Sequence, residues 1–438
     1  MSQLKDELLL KLKNKTAKLG VVGLGYVGLP LSVEKAKAGY KVIGFDVQTS
    51  KVEMVNNGHN YIGDIVDADL KELVESGLLK ATTDFKFVED VDTVCICVPT
   101  PLDNYKQPDV SYVVDSTKSI AKYLHRGMLV ILESTTYPGT TEEIVKPILE
   151  ESGLKCGEDF FLAFSPERVD PGNKEFKTKN TPKVVGGCTP ECTEVAAALY
   201  RSVLESDVHC VSSPAIAEME KILENTFRNI NIALANEMAI LCKRMGIDVW
   251  EVIDAAKTKP YGFMPFYPGP GLGGHCIPLD PFYLTWKARE YGYHTRLIET
   301  SGEINDSMPE FVLDNTMKLL NQSKKSLNGS TVLLLGVAYK KDIDDIRESP
   351  ALHVIEQLEK NGANVVYNDP YIPNFKHNGK EYSSVDLVST IETADIVLIT
   401  TDHVVYDYEM IVEKAKILYD TRNATKEVKS NREKINKL

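Results

Sequence analysis

The sequence predicts an α/β protein: two doubly wound parallel-sheet domains joined by a long central helix and a further helical segment. Three observations carry that prediction. The chain has 438 residues, enough for two or three domains at about 150 residues each. Short apolar runs alternate with amphipathic stretches in two separate regions, and an unbroken helical pattern lies between them. Hydrophobic residues make up 43% and charged residues 26%, as in ordinary globular domains, so disordered, collagen-like and coiled-coil readings find no support.

Taken in order, KLGVVGLG, YKVIGFD, TVCICVP, LVILEST and FFLAFSP between Lys18 and Ser165 each precede polar or helical sequence. Near-continuous Val, Ile and Leu runs fit parallel strands covered by helices on both faces. Cys95 and Cys97 sit two apart inside Val94 to Val98, so a strand puts them on one face, where buried packing is their expected role. The middle opens at Pro214 and runs to Gly246 with no interior Pro or Gly, about 45 Å of helix at 1.5 Å per residue. Helical spacing returns over Val249 to Lys257 and Pro281 to Tyr291, separated by the loop YGFMPFYPGPGLGGHCIPLDP. After residue 330 the strand rhythm resumes with TVLLLGVA, ANVVYND, DIVLITT and KILYDT.

Charge and composition exclude several functions. A net charge of -13 repels a phosphate backbone, so no nucleic-acid partner is expected. Apolar runs such as Val332 to Ala338 fall far short of the roughly 20 residues that span a bilayer, so no membrane partner is expected either. The first eighteen residues mix charges through their apolar positions and show no export signal, which points to the cytoplasm. Eight cysteines are too sparse for a disulfide scaffold, and none stands in a paired CxxC pattern, so no metal site is expected.

Gly23, Gly25 and Gly28 form GxGxxG directly after the strand Leu19 to Val22 and before a helical run ending at Gly39, with Tyr26 and Val27 inside the motif. The first glycine permits a tight turn, the second lets the backbone approach a pyrophosphate, and the third permits close packing of helix on strand. Asp46 closes the next strand. A carboxylate there accepts hydrogen bonds from both ribose hydroxyls and repels a 2′-phosphate, so the expected cofactor is NAD rather than NADP.

Cys276 stands in GPGLGGHCIPLD, where glycines expose backbone N–H groups and allow close ligand approach. That setting favours a nucleophile over a packed thiol, and Asp280, four residues on, could orient water or a side chain. Along the central helix Lys221, Asn225 and Arg228 fall at i, i+4 and i+7, hence on one face, which read alone is a solvated polar stripe.

GLGYVGLPLS, EKILENTFR and GPGLGGHCIPLDP, in this order, resemble the UDP-glucose/GDP-mannose dehydrogenase family from Lys18 to about Thr425. The resemblance implies two Rossmann-like domains and a helical segment that forms a homodimer. Its divisions here are an NAD-binding domain over 1–212, a central segment with the cysteine loop over 213–308, and a UDP-sugar-binding domain over 309–438. It makes Cys276 the nucleophile, with Lys221, Asn225 and Asp280 as catalytic neighbours. Thr135 matches the threonine near the reacting carbon, and Glu167 in SPERVDPG the glutamate of thioester hydrolysis. Arg347 matches an arginine that reaches NAD; Arg228, Tyr267, Gly273, His275 and Lys340 are taken as substrate-binding.

Many UDP-glucose dehydrogenases read GGSCFPKD, whereas here His275 and Leu279 replace Ser and Lys. Where they read SPEFLRE, this chain has Ser165-Pro166-Glu167-Arg168-Val169-Asp170-Pro171. Both departures resemble the branch that oxidises UDP-N-acetylhexosamines. UDP-N-acetylglucosamine is the expected substrate, with UDP-N-acetylmannosamine the runner-up and UDP-glucose third. A two-electron hydroxyacid-type dehydrogenase, which needs no thiol, and a catalytically silent NAD- or nucleotide-sugar-binding regulator are the rival readings.

Overall fold

The computed structural model describes residues 2–438 apart from 64, 104, 171 and 174, so Pro171 of the SPERVDPG segment lies outside the described residues. Two compact units emerge, Met1–Glu224 with Phe282–Tyr293, and Asn225–Pro281 with His294–Leu438.

The first unit is built on β1 (Lys18–Val22), β2 (Lys41–Phe45), β3 (Leu79–Thr82), β4 (Thr93–Ile96), β5 (Leu129–Leu132), β6 (Phe161–Phe164), β7 (Lys183–Gly187) and β8 (Val208–Val211). Their order is β3-β2-β1-β4-β5-β6-β7-β8. On β4, Cys95 joins Leu19 and Val21 in one apolar layer while Val94 and Ile96 join Val22 and Phe45 in the other, so the unbroken apolar run is explained by burial on both faces. Cys97 sits with Cys95, as their spacing requires. The opening residues, read above only for export signals, form the helix Ser2–Lys13, whose Leu8 and Leu12 enter the same layer.

All neighbours are parallel except β6 and β7, which departs from the expected all-parallel sheet. The described residues of the 165–182 segment between them contain no helix, and without a crossover helix a strand returns beside its predecessor in the opposite sense.

In the second unit β9 (Thr331–Leu335), β10 (Asn364–Asn368), β13 (Ile396–Ile399), β14 (Leu418–Asp420) and β15 (Ile435–Lys437) make a parallel sheet ordered β10-β9-β13-β14-β15. β11 (Asn374–His377) and β12 (Lys380–Ser383) form a hairpin turned by Asn378 and Gly379, both at positive φ. Asn-Gly is the strongest two-residue hairpin signal in a sequence, and the apolar rhythm passes over it because these strands are mostly exposed.

The central helix runs Pro214–Met245 and ends as expected at Gly246, whose φ of +73° suits a glycine past a helix end. Helices Val249–Ala256 and Asp280–Ala288 also follow the predicted spacing. Arg296–Gln322, a second long helix, is missed by that spacing because Pro309 interrupts it. Among the described residues no helix is long and apolar enough to cross a membrane.

Candidate active site

The dinucleotide motif is built in the first unit, where the turn after β1 enters helix Gly28–Lys37. Gly23 has a φ of +89°, and a Cβ there would come within 2.6 Å of the Cys97 carbonyl oxygen. A Cβ on Gly28 would lie 1.8 Å from the Gly23 oxygen, so helix and turn approach this closely only with glycine. Gly25 differs, because a Cβ there would meet nothing within 4 Å. Two glycines therefore serve the chain, and the middle one leaves an open cradle at a helix N-terminus, the shape and polarity a pyrophosphate requires. Val27 packs partly against the core, and Tyr26 is exposed beside it.

Asp46 follows β2 and is buried. Its Oδ2 accepts the Leu24 N–H and its Oδ1 the Gln48 N–H, each at 2.9 Å, and Lys51 Nζ stands 3.7 Å from Oδ2. A carboxylate offers about four acceptor positions, which leaves capacity for ribose hydroxyls. The residues present fit NAD.

At the carboxyl edge of the same sheet, β5 leads into Glu133, Ser134 and Thr135, and the Thr100 hydroxyl donates to the Thr135 carbonyl at 2.6 Å. Glu167 follows β6. Its Oε1 accepts the N–H groups of Arg168 and Val169 at 2.8 and 2.9 Å, and its Oε2 faces Lys183 Nζ at 3.5 Å. Burial works to raise the Glu167 carboxyl, but Lys183, these two N–H groups and the buried Lys221 outweigh it and hold the group below its ordinary range. Arg168 pairs with Glu224, tying this segment to the first half of the central helix. Neither Lys183 nor the Arg168–Glu224 pair is visible from spacing, since their sequence separations from Glu167 and from one another follow no local period.

In the second unit Cys276 is exposed in a tight turn, its carbonyl accepting the N–H groups of Leu279 and Asp280 at 3.0 and 2.8 Å. Asp280 opens its helix and receives Asn225 Nδ2 on Oδ2 at 2.6 Å. Two further asparagines of the central helix pin the same loop. Asn229 donates to the Ile277 carbonyl at 3.1 Å, and Asn236 Oδ1 accepts the Gly269 N–H at 2.9 Å. Asn305 of the second long helix bonds both Asn229 and Asn236. Sequence reasoning missed this set, although Asn229 extends the i, i+4 step of Lys221 and Asn225. Arg228, at nearly the same helical angle, is exposed.

The loop glycines correct an expectation. Space for a Cβ at Gly271, Gly273 and Gly274 is taken by Pro350 and Tyr339, and at Gly269 by Arg422, so they permit packing of chain on chain rather than ligand approach. His275 is exposed and titrates below its usual value, through crowding first and the charge of Arg347 second. Arg347 forks onto Asp345 with contacts of 2.7 to 3.0 Å. Lys340 is half-buried, and Tyr267 stacks on Trp250 at 6.1 Å between centroids.

Three family models match consecutive parts of the chain: the NAD binding domain of UDP-glucose/GDP-mannose dehydrogenases over 17–204, their central domain over 215–307 and their UDP binding domain over 333–427. The chain belongs to the UDP-glucose/GDP-mannose dehydrogenase family. It is 42% identical over 359 residues to a UDP-N-acetyl-D-glucosamine 6-dehydrogenase of Pseudomonas aeruginosa, covering 82% of this chain and 84% of the relative. A UDP-N-acetyl-D-mannosamine dehydrogenase of Campylobacter jejuni is 38% identical over 405 residues, 89% of this chain and 96% of that one. Among solved structures, a UDP-N-acetyl-mannosamine dehydrogenase from Pyrococcus horikoshii superposes with a TM-score of 0.85 at 35% identity, covering 94% and 96% of the two chains. This nucleotide-sugar dehydrogenase is thus an NAD-dependent enzyme whose small-molecule substrate is a UDP-sugar. GxGxxG and Asp46 fall in its NAD region, Lys221, Asn225, Cys276 and Asp280 in its central region, and Lys340 and Arg347 in its UDP region.

Proposed function

We propose that the enzyme oxidises the C6 hydroxymethyl group of UDP-N-acetylglucosamine to a carboxylate, a four-electron reaction carried by Cys276. NAD, when bound, accepts hydride from C6. An aldehyde donates hydride poorly until a nucleophile adds to it. Addition of the Cys276 thiolate makes a tetrahedral thiohemiacetal whose oxidation leaves a thioester. Lys221 and Asn225 stabilise negative charge on the reacting oxygen, Asp280 orients Asn225, Thr135 positions the substrate near C6, and Glu167 takes the proton of the water that hydrolyses the thioester. The single observation that supports this most is an exposed cysteine in a turn whose adjoining Asp280 is clamped by Asn225. Arg228, Tyr267, His275 and Lys340 are assigned to the sugar nucleotide and Arg347 to NAD.

The relative with 42% identity and the His275 and SPERVDPG departures support the glucosamine epimer, while relatives at 36–38% identity support the mannosamine epimer as the second reading. A panel of UDP-sugars decides. A site built around an N-acetyl group strands polar groups when offered a C2 hydroxyl, at about 1–3 kcal/mol or roughly 5- to 150-fold. Preference for UDP-glucose refutes the branch, and preference for UDP-N-acetylmannosamine corrects the epimer. Two NADH per sugar are expected; one would restore the hydroxyacid-type reading, and none across the panel the silent regulator. Cys276→Ala should abolish acid formation yet leave NAD and UDP-sugar binding nearly intact. Full four-electron turnover by that variant refutes the thioester.

We divide the chain functionally as 1–212, 213–308 and 309–438, and place it in the cytoplasm as a homodimer. Exposed Ile216, Met219, Leu223, Phe227, Leu234, Leu241 and Met245 recur at helical spacing along one face of the central helix, an apolar stripe suited to a second copy. Sedimentation of a monomer at micromolar concentration would refute the dimer.

A further inference from the structure

Because β7 runs antiparallel to β6, its first residue lies past the carboxyl end of β6: Ala163 pairs with Gly187 and Phe164 with Gly186. Lys183 is thereby carried to the sheet edge where β5 delivers Glu133 and β6 delivers Glu167. In open α/β sheets this is the edge at which ligands bind. The Lys183 side chain is 5% exposed, with its ammonium 2.7 Å from Glu133 Oε2 and 3.5 Å from Glu167 Oε2. Glu133 is wholly buried, and its other oxygen lies 2.5 Å from the Tyr200 hydroxyl, so both of its oxygens are committed. Lys183 also stands 5.3 Å from the centroid of the Tyr200 ring.

A buried ammonium is stable only when paired and hydrogen-bonded, and Glu133 with Tyr200 supplies that anchor. The longer approach to Glu167 is of another kind. At 3.5 Å the cation attracts the carboxylate without a short hydrogen bond that would occupy Oε2, while Oε1 is already taken by two backbone N–H groups. We propose that Lys183 is a positioning residue for thioester hydrolysis: anchored on Glu133 and Tyr200, it holds the Glu167 carboxylate in one orientation with its negative charge and leaves Oε2 able to receive a proton.

This inference rests on the roles assigned above to Cys276 and Glu167. In the step concerned, a water oxygen bonds to the thioester carbonyl carbon and its proton passes to Glu167. The C–S bond then breaks, and sulfur leaves as the Cys276 thiolate, which takes up a proton. The charged and polar groups facing Glu167 are Lys183 from β7, Lys221 from the central helix, the Arg168 and Val169 N–H groups and the Arg168 guanidinium from its own segment, with Glu133 behind Lys183. Burial favours the neutral acid and these cations oppose it, so removing Lys183 moves Glu167 toward higher pKa.

Three variants test the assignment. Lys183→Met keeps the stem and removes the charge, Glu133→Gln with Lys183→Met also removes the carboxylate stranded by the single change, and Lys183→Arg restores a cation. Rapid-quench turnover is followed with NAD and the UDP-N-acetylhexosamine that the wild type oxidises fastest. Both Met-bearing variants should release two NADH per site in a burst at the wild-type rate, then turn over about 10²-fold more slowly. Mass spectrometry should find the acyl group accumulating on the Cys276 peptide, the acid limb of the steady-state rate should move to higher pH, and Lys183→Arg should recover most of the rate. A double variant that binds NAD normally and keeps the wild-type rate and pH profile would overturn the inference. So would loss of the burst itself, which would mean that Lys183 serves the oxidations. Absence of any acyl-enzyme in the wild type would overturn the thioester reading and this inference with it, and the wild-type control identifies that case.

Discussion

The two sheets begin alike and finish differently. After β1 the chain turns at Gly23, and after β9 it turns at Gly336, both at positive φ and both with a neighbouring strand end where a Cβ would go, Cys97 in one and Thr401 in the other. An aspartate closes the next strand in each: Asp46 Oδ2 accepts the Leu24 N–H at 2.9 Å, and Asp369 Oδ2 accepts the Val337 N–H at 2.7 Å. From there they diverge. Asp369 also takes the N–H groups of Ala338, Tyr371 and Ile372, and its side chain is fully buried against His403 Nε2 at 3.1 Å. Asp46 has fewer protein donors, and only the first turn has the open position at Gly25. One carboxylate is spent on the fold and the other retains acceptor capacity, although the turn geometry and the order of the strands beside it are shared. A shared topology supplies the place for a ligand, and the local donors decide whether the place is filled by the protein itself.

The largest expected effect separates the two aspartates. Asp369→Ala strands His403 and four N–H groups and should destabilise the second unit by about 3–5 kcal/mol in chemical denaturation, with no change in cofactor preference. Asp46→Ala should cost about 1–2 kcal/mol and instead raise kcat/KM with NADP relative to NAD. A wild-type enzyme using both cofactors equally would break the comparison.

The glycines sharpen it. Gly28→Ala and Gly336→Ala each force a Cβ against backbone, at about 1–3 kcal/mol, the first losing NAD affinity as well and the second retaining it. Gly25→Ala meets no protein atom, so stability should stay within about 0.5 kcal/mol while calorimetry shows NAD affinity falling. Loss of stability without loss of affinity at Gly25 would show that the cradle is not the cofactor's.

The smallest effect at neutral pH concerns acid. Burial opposes ionisation of Asp369, but His403 and the backbone donors prevail and hold it below the ordinary carboxylate value. A depressed folded pKa contributes stability above the unfolded value, about 3.9, that is lost as pH falls through the folded one. Acid titration of the second unit should therefore steepen below about pH 4, and Asp369→Asn should flatten it.

Local patterns were legible because their physics is local. The GxGxxG turn, Asp46 at a strand end, the length of the central helix to Gly246 and the two-faced burial of the β4 run each follow from residues within a few positions of one another. Lys221 and Asn225 share a helical face for the same reason, and the cysteine loop could be read as the place of an exposed thiol. The glycines around Cys276 were misread because a glycine records that something comes close without recording what. Tyr339, Pro350 and Arg422, which fill those spaces, are more than sixty residues away in the chain. The reversed β7, the anchoring of Lys183 on Glu133 and Tyr200, the pairing of Arg168 with Glu224 and the closure of Asp369 by His403 likewise join residues 16 to 67 positions apart. No sequence period reports such pairs, since they are set by which strand ends the sheet order brings to one edge. The sequence by itself determined the apolar strands, the central helix and the GxGxxG turn, because each depends on nearby side chains and backbone; which carboxylates are spent on the fold and which stay available was decided only when the tertiary structure brought distant donors to them.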